Sequence, residues 1–144
     1  MGADTCHHGG SLRPTEYLPL PSELTPSPFP SHVHGHAHKG MITCPGALFE
    51  AIHPKKSRTE PYYDQMTTAP DRDVPKAQDS LTKMADFDAS EDVFVVIAHD
   101  ASLLDVVEFF PKSANAWKEK GWKERGHWRF LGDFGEAASR VSSL

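Results

Sequence analysis

The chain has 144 residues, with 15 basic and 20 acidic side chains and a formal net charge of −5 at pH 7. This length is typical of one domain, and the acidic balance, without a basic stripe of interleaved aromatic residues, argues against a nucleic-acid partner. No apolar stretch is long enough to cross a bilayer, and the N-terminus lacks the pattern of a secretory signal. We therefore predict a cytoplasmic protein with no membrane partner, in which Cys6 and Cys44 stay reduced.

The first ten residues, MGADTCHHGG, hold an unusual density of side chains that can bind metal ions. Carboxylate, thiolate and imidazole groups are the ligands that zinc and related ions prefer in proteins. The candidate metal ligands in this segment are Asp4, Cys6, His7 and His8. The same residues also fit a frayed polar N-terminus, and composition alone does not decide between the two interpretations.

Proline recurs between residues 13 and 30 at a rate that excludes helix and interior strand, so an extended or turn-rich loop is predicted there. The alternative function for this loop is a docking peptide for a proline-recognising domain. Four histidines then alternate with other residues, at His32, His34, His36 and His38. Their rings would share one face of an extended chain and bind copper, nickel or zinc adventitiously. We predict no regular structure for residues 22–40.

The middle of the chain contains two predicted helical segments. Residues 44–54 suggest one short helical turn between two prolines, and residues 55–78 are polar and loop-like. A longer helix is predicted for residues 79–87, with Asp79 or Ser80 as its N-cap and an apolar face behind it.

Residues 93–98, VFVVIA, are six consecutive apolar residues, of which four are β-branched. The run is too short for a buried helix and rich in the residue types that favour strands. A strand without a polar face is typical of layered α/β structures, in which ligands bind at the carboxyl ends of the strands. We predict that this segment is the central and most buried strand, with His99 and Asp100 at its functional end.

Short elements are predicted for the remainder of the chain. Residues 101–110 and 114–120 are expected to form helices, ended by Pro111 and Gly121 respectively. The aromatic side chains that follow are expected to cover the sheet. The last residues, from 135 onward, have weak helical character and little to bury.

Four motifs taken in chain order resemble the C-terminal half of fungal metallo-β-lactamase-superfamily hydrolases, in the lactonase-like branch. They are DTCHH at 4–8, the proline-rich run at 13–21, CPG at 44–46 and VVIAHD at 95–100. The resemblance implies an α/β (α+β) fold, a partial αββα metallo-β-lactamase sandwich of which this chain holds only the C-terminal half, with long irregular loops. The predicted domain, 1–144, comprises a metal-motif segment and Pro-rich loop at 1–21, a mostly irregular stretch at 22–78, and a helix–strand–helix core with an aromatic tail at 79–144.

The resemblance also implies a set of functional residues and a reaction. Asp4 matches the aspartate that bridges two metal ions, usually zinc, and His99 matches the last histidine ligand. Arg13 and Tyr17 are candidate substrate contacts. The first predicted function is therefore a metal-dependent hydrolase that cleaves an ester, lactone or thioester bond in a small molecule through a metal-bound hydroxide.

The first ligand motif of that family, H-x-H-x-D-H, is missing from this sequence. In the histidine tract, His36 stands where the motif needs aspartate and Ala37 where it needs histidine. A catalytic zinc needs about three protein ligands, so we predict that this chain alone is an inactive fragment. We also predict that Asp4 and His99 lie within roughly 8 Å of each other, the span of a shared two-metal site. The alternative is a non-catalytic metal-binding or interaction fragment that uses the His-rich and Pro-rich loops.

Overall fold

The computed structural model describes residues 5–29, 43–65 and 73–142, and these ranges form two compact units. The first unit comprises Met1–Leu20 with Ser57–Asp100, and the second comprises Pro21–Lys56 with Ala101–Leu144. The helices are α1 (Gly46–Ile52), α2 (Val74–Ala89), α3 (Trp122–Gly126) and α4 (Gly135–Ser142). The strands are β1 (Glu23–Leu24) and β2 (Cys44–Pro45), and 3-10 turns cover Gly9–Ser11, Ala101–Leu103 and Arg129–Phe134.

The helix α2 is the longest element of the first unit. Its N-cap is Asp73, whose carboxylate accepts a hydrogen bond from the Lys76 backbone N–H at 3.1 Å. Pro75 lies in the first turn, where the missing N–H costs no helical hydrogen bond. The helix therefore begins more than one turn before Asp79, and the prediction of a loop that reaches residue 78 is wrong.

The apolar face of α2 packs on the small core of the first unit. Cys6, Leu12, Leu81 and Ile97 are the buried residues of this core, and Met84, Ala85 and Val95 pack against it. The core thus joins the N-terminal segment, the helix and the apolar run before His99. The predicted apolar face of the helix is confirmed at these positions.

A buried ion pair fixes the N-terminal segment to the end of α2. Arg13 donates hydrogen bonds from Nε to Oδ2 of Asp88 at 2.5 Å and from Nη2 to Oδ1 at 2.8 Å. The two side chains are only 6% and 1% exposed. A bidentate contact of this kind holds both groups in one geometry and compensates for the removal of two charges from water.

The predicted central strand is not formed. Residues 93–97 are irregular, and Ile97 is the buried residue of the run, whereas its apolar neighbours are partly exposed. A strand needs a neighbouring strand for its backbone N–H and C=O groups. In the described part of the chain, the one sheet pairs β1 with β2, and it does not include this segment. The prediction that residues 93–98 form the most buried strand is therefore wrong.

The second unit is built around α1. Its two strands run antiparallel, with Leu24 opposite Cys44, and the backbone N–H of Gly46 donates to the Ser22 carbonyl at 2.7 Å. A side chain at residue 46 would place its Cβ 1.9 Å from the Pro21 carbonyl oxygen, so only glycine permits this approach. Within α1, Phe49 is fully buried.

Other buried side chains complete the core of the second unit. The ring of Phe29 stacks on that of Phe49 with centroids 5.3 Å apart, and α4 packs against α1 with Ala138 buried. Three residues of the aromatic tail are also buried, namely Trp122, Phe130 and Leu131. The short helix expected within residues 44–54 is confirmed, as is the helical character from residue 135 onward, where Ala138 is the buried residue among those described.

Several predicted elements of the second unit take other forms. In 101–110, a 3-10 turn covers only Ala101–Leu103, and 114–120 form hydrogen-bonded turns instead of a helix. Gly121, expected to end a helix, instead precedes α3 with φ +60°, a conformation in which glycine has no steric cost. A two-residue strand lies within 22–29, so the expectation of no regular structure in 22–40 is wrong there, and residues 30–40 lie outside the described ranges.

Mixed helix and strand content is confirmed, whereas the αββα sandwich and the single domain over 1–144 stay predictions. Both cysteines are free and buried, as expected for reduced thiols. Among the residues that the structure describes, none of the helices combines the length and the apolar character that crossing a lipid bilayer requires.

The ion pair of Arg13 and Asp88 leads to a stability prediction. Asp88→Leu should lower the free energy of unfolding by about 3–5 kcal/mol, because it leaves a buried guanidinium without its carboxylate. The double variant Arg13→Met/Asp88→Leu should recover most of the loss. Urea unfolding followed by far-ultraviolet circular dichroism measures both.

The exposed ion pair of Lys83 and Asp79 on α2 provides the control for this experiment. Asp79→Asn should cost no more than about 0.5 kcal/mol, because water screens an exposed pair. If Asp88→Leu costs as little as this control, the buried pair does not stabilise the first unit.

Candidate functional site

The residues Cys6, His7 and His8 follow one another in sequence but have different surroundings. The Cys6 side chain lies in the core of the first unit, whereas His7 is exposed and His8 is partly buried. The three candidate ligands therefore do not converge on a common point.

The imidazole of His8 caps the 3-10 turn Gly9–Ser11. Its Nδ1 accepts a hydrogen bond from the Gly10 backbone N–H at 3.0 Å. The ring also meets the Tyr63 ring edge-on, with centroids 5.0 Å apart, and the Tyr63 backbone N–H donates to the Gly10 carbonyl at 3.0 Å. Because Nδ1 accepts a hydrogen bond, a neutral His8 carries its hydrogen on Nε2 and presents no second lone pair to a metal.

The ring of His7 lies against that of His99. The two ring centroids are 5.2 Å apart and the planes are nearly perpendicular, at 87°. Both residues are exposed. The structure thus brings the DTCHH segment and the AHD segment together at one surface of the first unit, through His7 rather than through Cys6 or His8.

The backbone of His99 adopts an unusual conformation. Its φ is +67°, in the left-handed region that non-glycine residues rarely occupy. Such a conformation costs of the order of 1 kcal/mol or more, and it persists where the surrounding contacts determine it, which is common at ligand sites. The chain therefore turns sharply at His99, directly after the apolar run.

Electrostatics around Cys6 keep its thiol neutral. Burial raises the pKa of Cys6, and the nearby carboxylates of Asp88 and Asp100 raise it further. The charge of Arg13 and a backbone hydrogen bond at His8 oppose this rise without cancelling it. Since a thiol must lose its proton to bind zinc, Cys6 is poorly prepared to act as a ligand in this arrangement.

The residues present satisfy only part of the requirement of a zinc site. In the ranges 5–29, 43–65 and 73–142, no three or more histidine, cysteine or acidic residues are grouped so that they could hold a metal ion. His7 and His99 supply two imidazoles, whereas catalytic zinc needs about three protein ligands. Asp4 and the tract of His32, His34, His36 and His38 lie outside the described residues, so the approach of Asp4 to His99 stays a prediction.

The two candidate substrate contacts differ in their surroundings. Arg13 is buried and its guanidinium is bound to Asp88, which gives it a structural role in the first unit. Tyr17 is 76% exposed and lines a cavity of the same unit. Contact of either residue with a substrate stays a prediction.

Sequence reasoning missed the partner of Arg13 and the particular partner of His99. Asp88 follows the helix predicted for residues 79–87, and no local pattern marks a single aspartate as the buried partner of an arginine 75 positions away. The sequence did contain a signal that His7 faces outward. Its neighbour Cys6 is a small hydrophobic residue that packs well in a core, and when Cys6 points inward the next side chain points outward.

Known proteins match the chain over nearly its whole length. A gamma-lactamase, FDB1, from Fusarium pseudograminearum is 40% identical over 137 residues, which are 93% of this chain and 31% of that protein. A metallo-hydrolase, mfmC, from Annulohypoxylon moriforme is 40% identical over 139 residues, again 93% of this chain and 32% of that protein. No protein-family profile matches the chain, and no solved structure matches it significantly.

A third relative carries a different name. The cytochrome P450 monooxygenase mpaDE′ from Penicillium brevicompactum is 33% identical over 137 residues, which are 95% of this chain but only 13% of that protein. The name of so much larger a protein does not describe the matched segment in particular. In the first two relatives the segment is about a third of a hydrolase.

The chain thus shares its sequence with a segment of two fungal hydrolases. The chain belongs to the metallo-β-lactamase superfamily of these hydrolases, as the motifs at 4–8 and 95–100 predicted. It spans about a third of the length of the two relatives that it matches at 40% identity. That it corresponds to their C-terminal half stays a prediction.

Burial of the two cysteines leads to a reactivity prediction. Burial raises the pKa of both Cys6 and Cys44, so the thiolate fraction at a pH of about 8 is smaller than in a free cysteine. Alkylation by iodoacetamide, followed by mass spectrometry, should be at least about tenfold slower in the folded chain than in concentrated urea.

Single variants assign these rates to each thiol. Cys44→Ser leaves Cys6 as the reporter of the first unit, and Cys6→Ser leaves Cys44 as the reporter of the second. If Cys6 reacts in the folded chain at its urea rate, the segment that carries His7 is not packed as described.

Proposed function

We propose that this chain is a segment of a metal-dependent hydrolase that cleaves a carbonyl–heteroatom bond in a small molecule, with His99 as a metal ligand and Asp4 as a bridging carboxylate. The observation that supports the proposal is 40% identity to a gamma-lactamase and to a metallo-hydrolase over 93% of the chain. The contact of His7 with His99 adds local support, because it joins two of the motifs that carry the family resemblance.

The proposed substrates share one reactive group. Esters, lactones and thioesters are attacked at an acyl carbon, and the name of the Fusarium relative adds a γ-lactam amide to this set. In each case the reaction needs a nucleophile from water and stabilisation of the developing oxyanion. A bound zinc ion supplies the first by lowering the pKa of a coordinated water to about 7. Zinc is our proposal for the metal.

The donors of this chain support binding but do not complete a site. His99 and His7 offer two imidazoles on one surface of the first unit, and the H-x-H-x-D-H motif is absent from the sequence. We propose that the missing ligands belong to sequence that the longer relatives have in addition to the matched third. The chain by itself would then hold a metal too weakly to catalyse hydrolysis.

The alternative function is a non-catalytic fragment that binds metals or partners through its His-rich and Pro-rich loops. The comparisons do not favour it, because the two relatives at 40% identity are named for hydrolase activity. Metal binding by the histidine tract is compatible with either function, and it supplies an internal standard for the experiment below.

The isolated chain should show no turnover of γ-lactam, lactone or ester substrates above background, even with excess zinc. Any zinc uptake should depend mainly on the four histidines of the tract. Isothermal titration calorimetry should therefore show a larger loss of uptake for His32→Ala/His34→Ala/His36→Ala/His38→Ala than for His99→Ala. The opposite order, or turnover that His99→Ala abolishes, would show that this chain holds a working site.

A longer gene product tests the enzymatic proposal directly. If the transcript continues upstream into an in-frame H-x-H-x-D-H, that product should hydrolyse a γ-lactam or a lactone. Loss of a residue that hydrogen-bonds to a metal ligand typically lowers activity by roughly 10–100-fold. In the longer product, His99→Ala should lower kcat by more than this, because His99 is proposed to bind the metal itself.

The matched control for His99→Ala is His8→Asn. Asparagine can still cap the turn at Gly9–Ser11, so this variant should keep both metal content and kcat. An active product in which His99→Ala retains full activity and metal content would remove His99 from the proposed ligand set.

A further inference from the structure

A cavity of about 270 Å³ lies in the first unit, apart from the pair of His7 and His99. It is bordered by residues from the segments 11–17 and 59–64 and by the helix α2. Small-molecule sites in proteins begin at about 300 Å³, so this volume suits a compound smaller than a typical drug.

The lining of the cavity includes apolar and aromatic side chains. Leu12 and Leu81, both buried in the core, line it together with Ala85. Tyr17 and Tyr63 also line it, and both are exposed to solvent. An aromatic or aliphatic body of a few carbon atoms would bury apolar surface here and contact two rings.

The charged side chains among the described lining residues have a single sign. They are the carboxylates of Glu16, Asp64 and Asp86, and these lining residues include no lysine or arginine. Two cations of the same unit are paired with other carboxylates, Arg13 with Asp88 and Lys83 with Asp79. Such a surface attracts a cation, repels an anion, and offers tyrosine faces to which a cation is also attracted.

We infer that this cavity binds a small organic amine, with its apolar body against Leu12 and Leu81 and its ammonium group at the carboxylates of Glu16 and Asp86. The inference is independent of the proposed hydrolysis, because neutral lactams and lactones have no need of this charge. Tyr63 links the cavity to the candidate site, since its ring also contacts His8.

Three probes of similar shape and different charge test the inference on the full chain. They are 2-phenylethylamine, the neutral 2-phenylethanol and the anion phenylacetate, with binding followed by NMR shifts of the tyrosine ring resonances. The amine should bind about tenfold more tightly than the alcohol, and the anion should cause no shifts. The preference for the amine should fall as salt is raised, because the carboxylates are exposed.

Variants separate the contribution of charge from that of the rings. Glu16→Gln/Asp86→Asn should bring the affinity for the amine down about five- to tenfold, to that for the alcohol. Glu91→Gln/Glu136→Gln removes the same charge from exposed positions outside the cavity and should change nothing. Tyr17→Ala should weaken binding of both the amine and the alcohol, and that of the amine by the larger factor, because the ring face also attracts the ammonium group.

Four results would overturn the inference. They are equal binding of amine and alcohol, binding of the anion, no binding of any probe, and an amine affinity that Glu16→Gln/Asp86→Asn leaves unchanged. The substituted carboxylates are exposed, and unchanged circular dichroism of each variant shows that a lost affinity is not lost folding. Hydrolysis assays on the longer gene product decide the proposed function separately.

Discussion

The buried contact between Arg13 and Asp88 is the interaction on which the first unit depends. Removal of two charges from water is costly, and it is compensated only while both partners are present in bidentate geometry. The pair attaches the N-terminal segment to the end of α2, and the chain runs from that end toward His99. Because the two motifs lie on either side of this attachment, we expect the contact between His7 and His99 to depend on a residue pair that lies outside that contact.

Local signals predicted helices better than they predicted strands. Helix α1 lies between Pro45 and Pro54 because proline restricts the chain at both places, and this information is carried by neighbouring residues. The run at 93–98 has the composition of a strand, but strand formation depends on a partner that composition does not specify. The start of α2 was missed although Asp73 and Pro75 are a recognisable helix start, because the polar stretch before it suggested a longer loop.

The motifs indicated which two segments meet in the first unit, but not which side chains make the contact. The motifs singled out Cys6, His7, His8 and His99, and the relatives at 40% identity confirm the family that these motifs suggested. Which of the side chains meets His99 is decided by the packing of Cys6 beside Leu12 and by the hydrogen bond of His8 to Gly10. Both contacts depend on the folded first unit, so the order of residues along the chain did not reveal them.

The two units alternate along the chain, since each is made of one early and one late stretch. During synthesis, the core of the first unit can form only after the residues up to Asp100 have been made. The core of the second unit can form only after α4 has been made. Neither unit can be produced as one continuous peptide. A protease that cleaves the chain near residue 56 would place the two stretches of each unit on different fragments. Each core therefore depends on contacts between residues far apart in sequence, and such contacts are typical of slower folding.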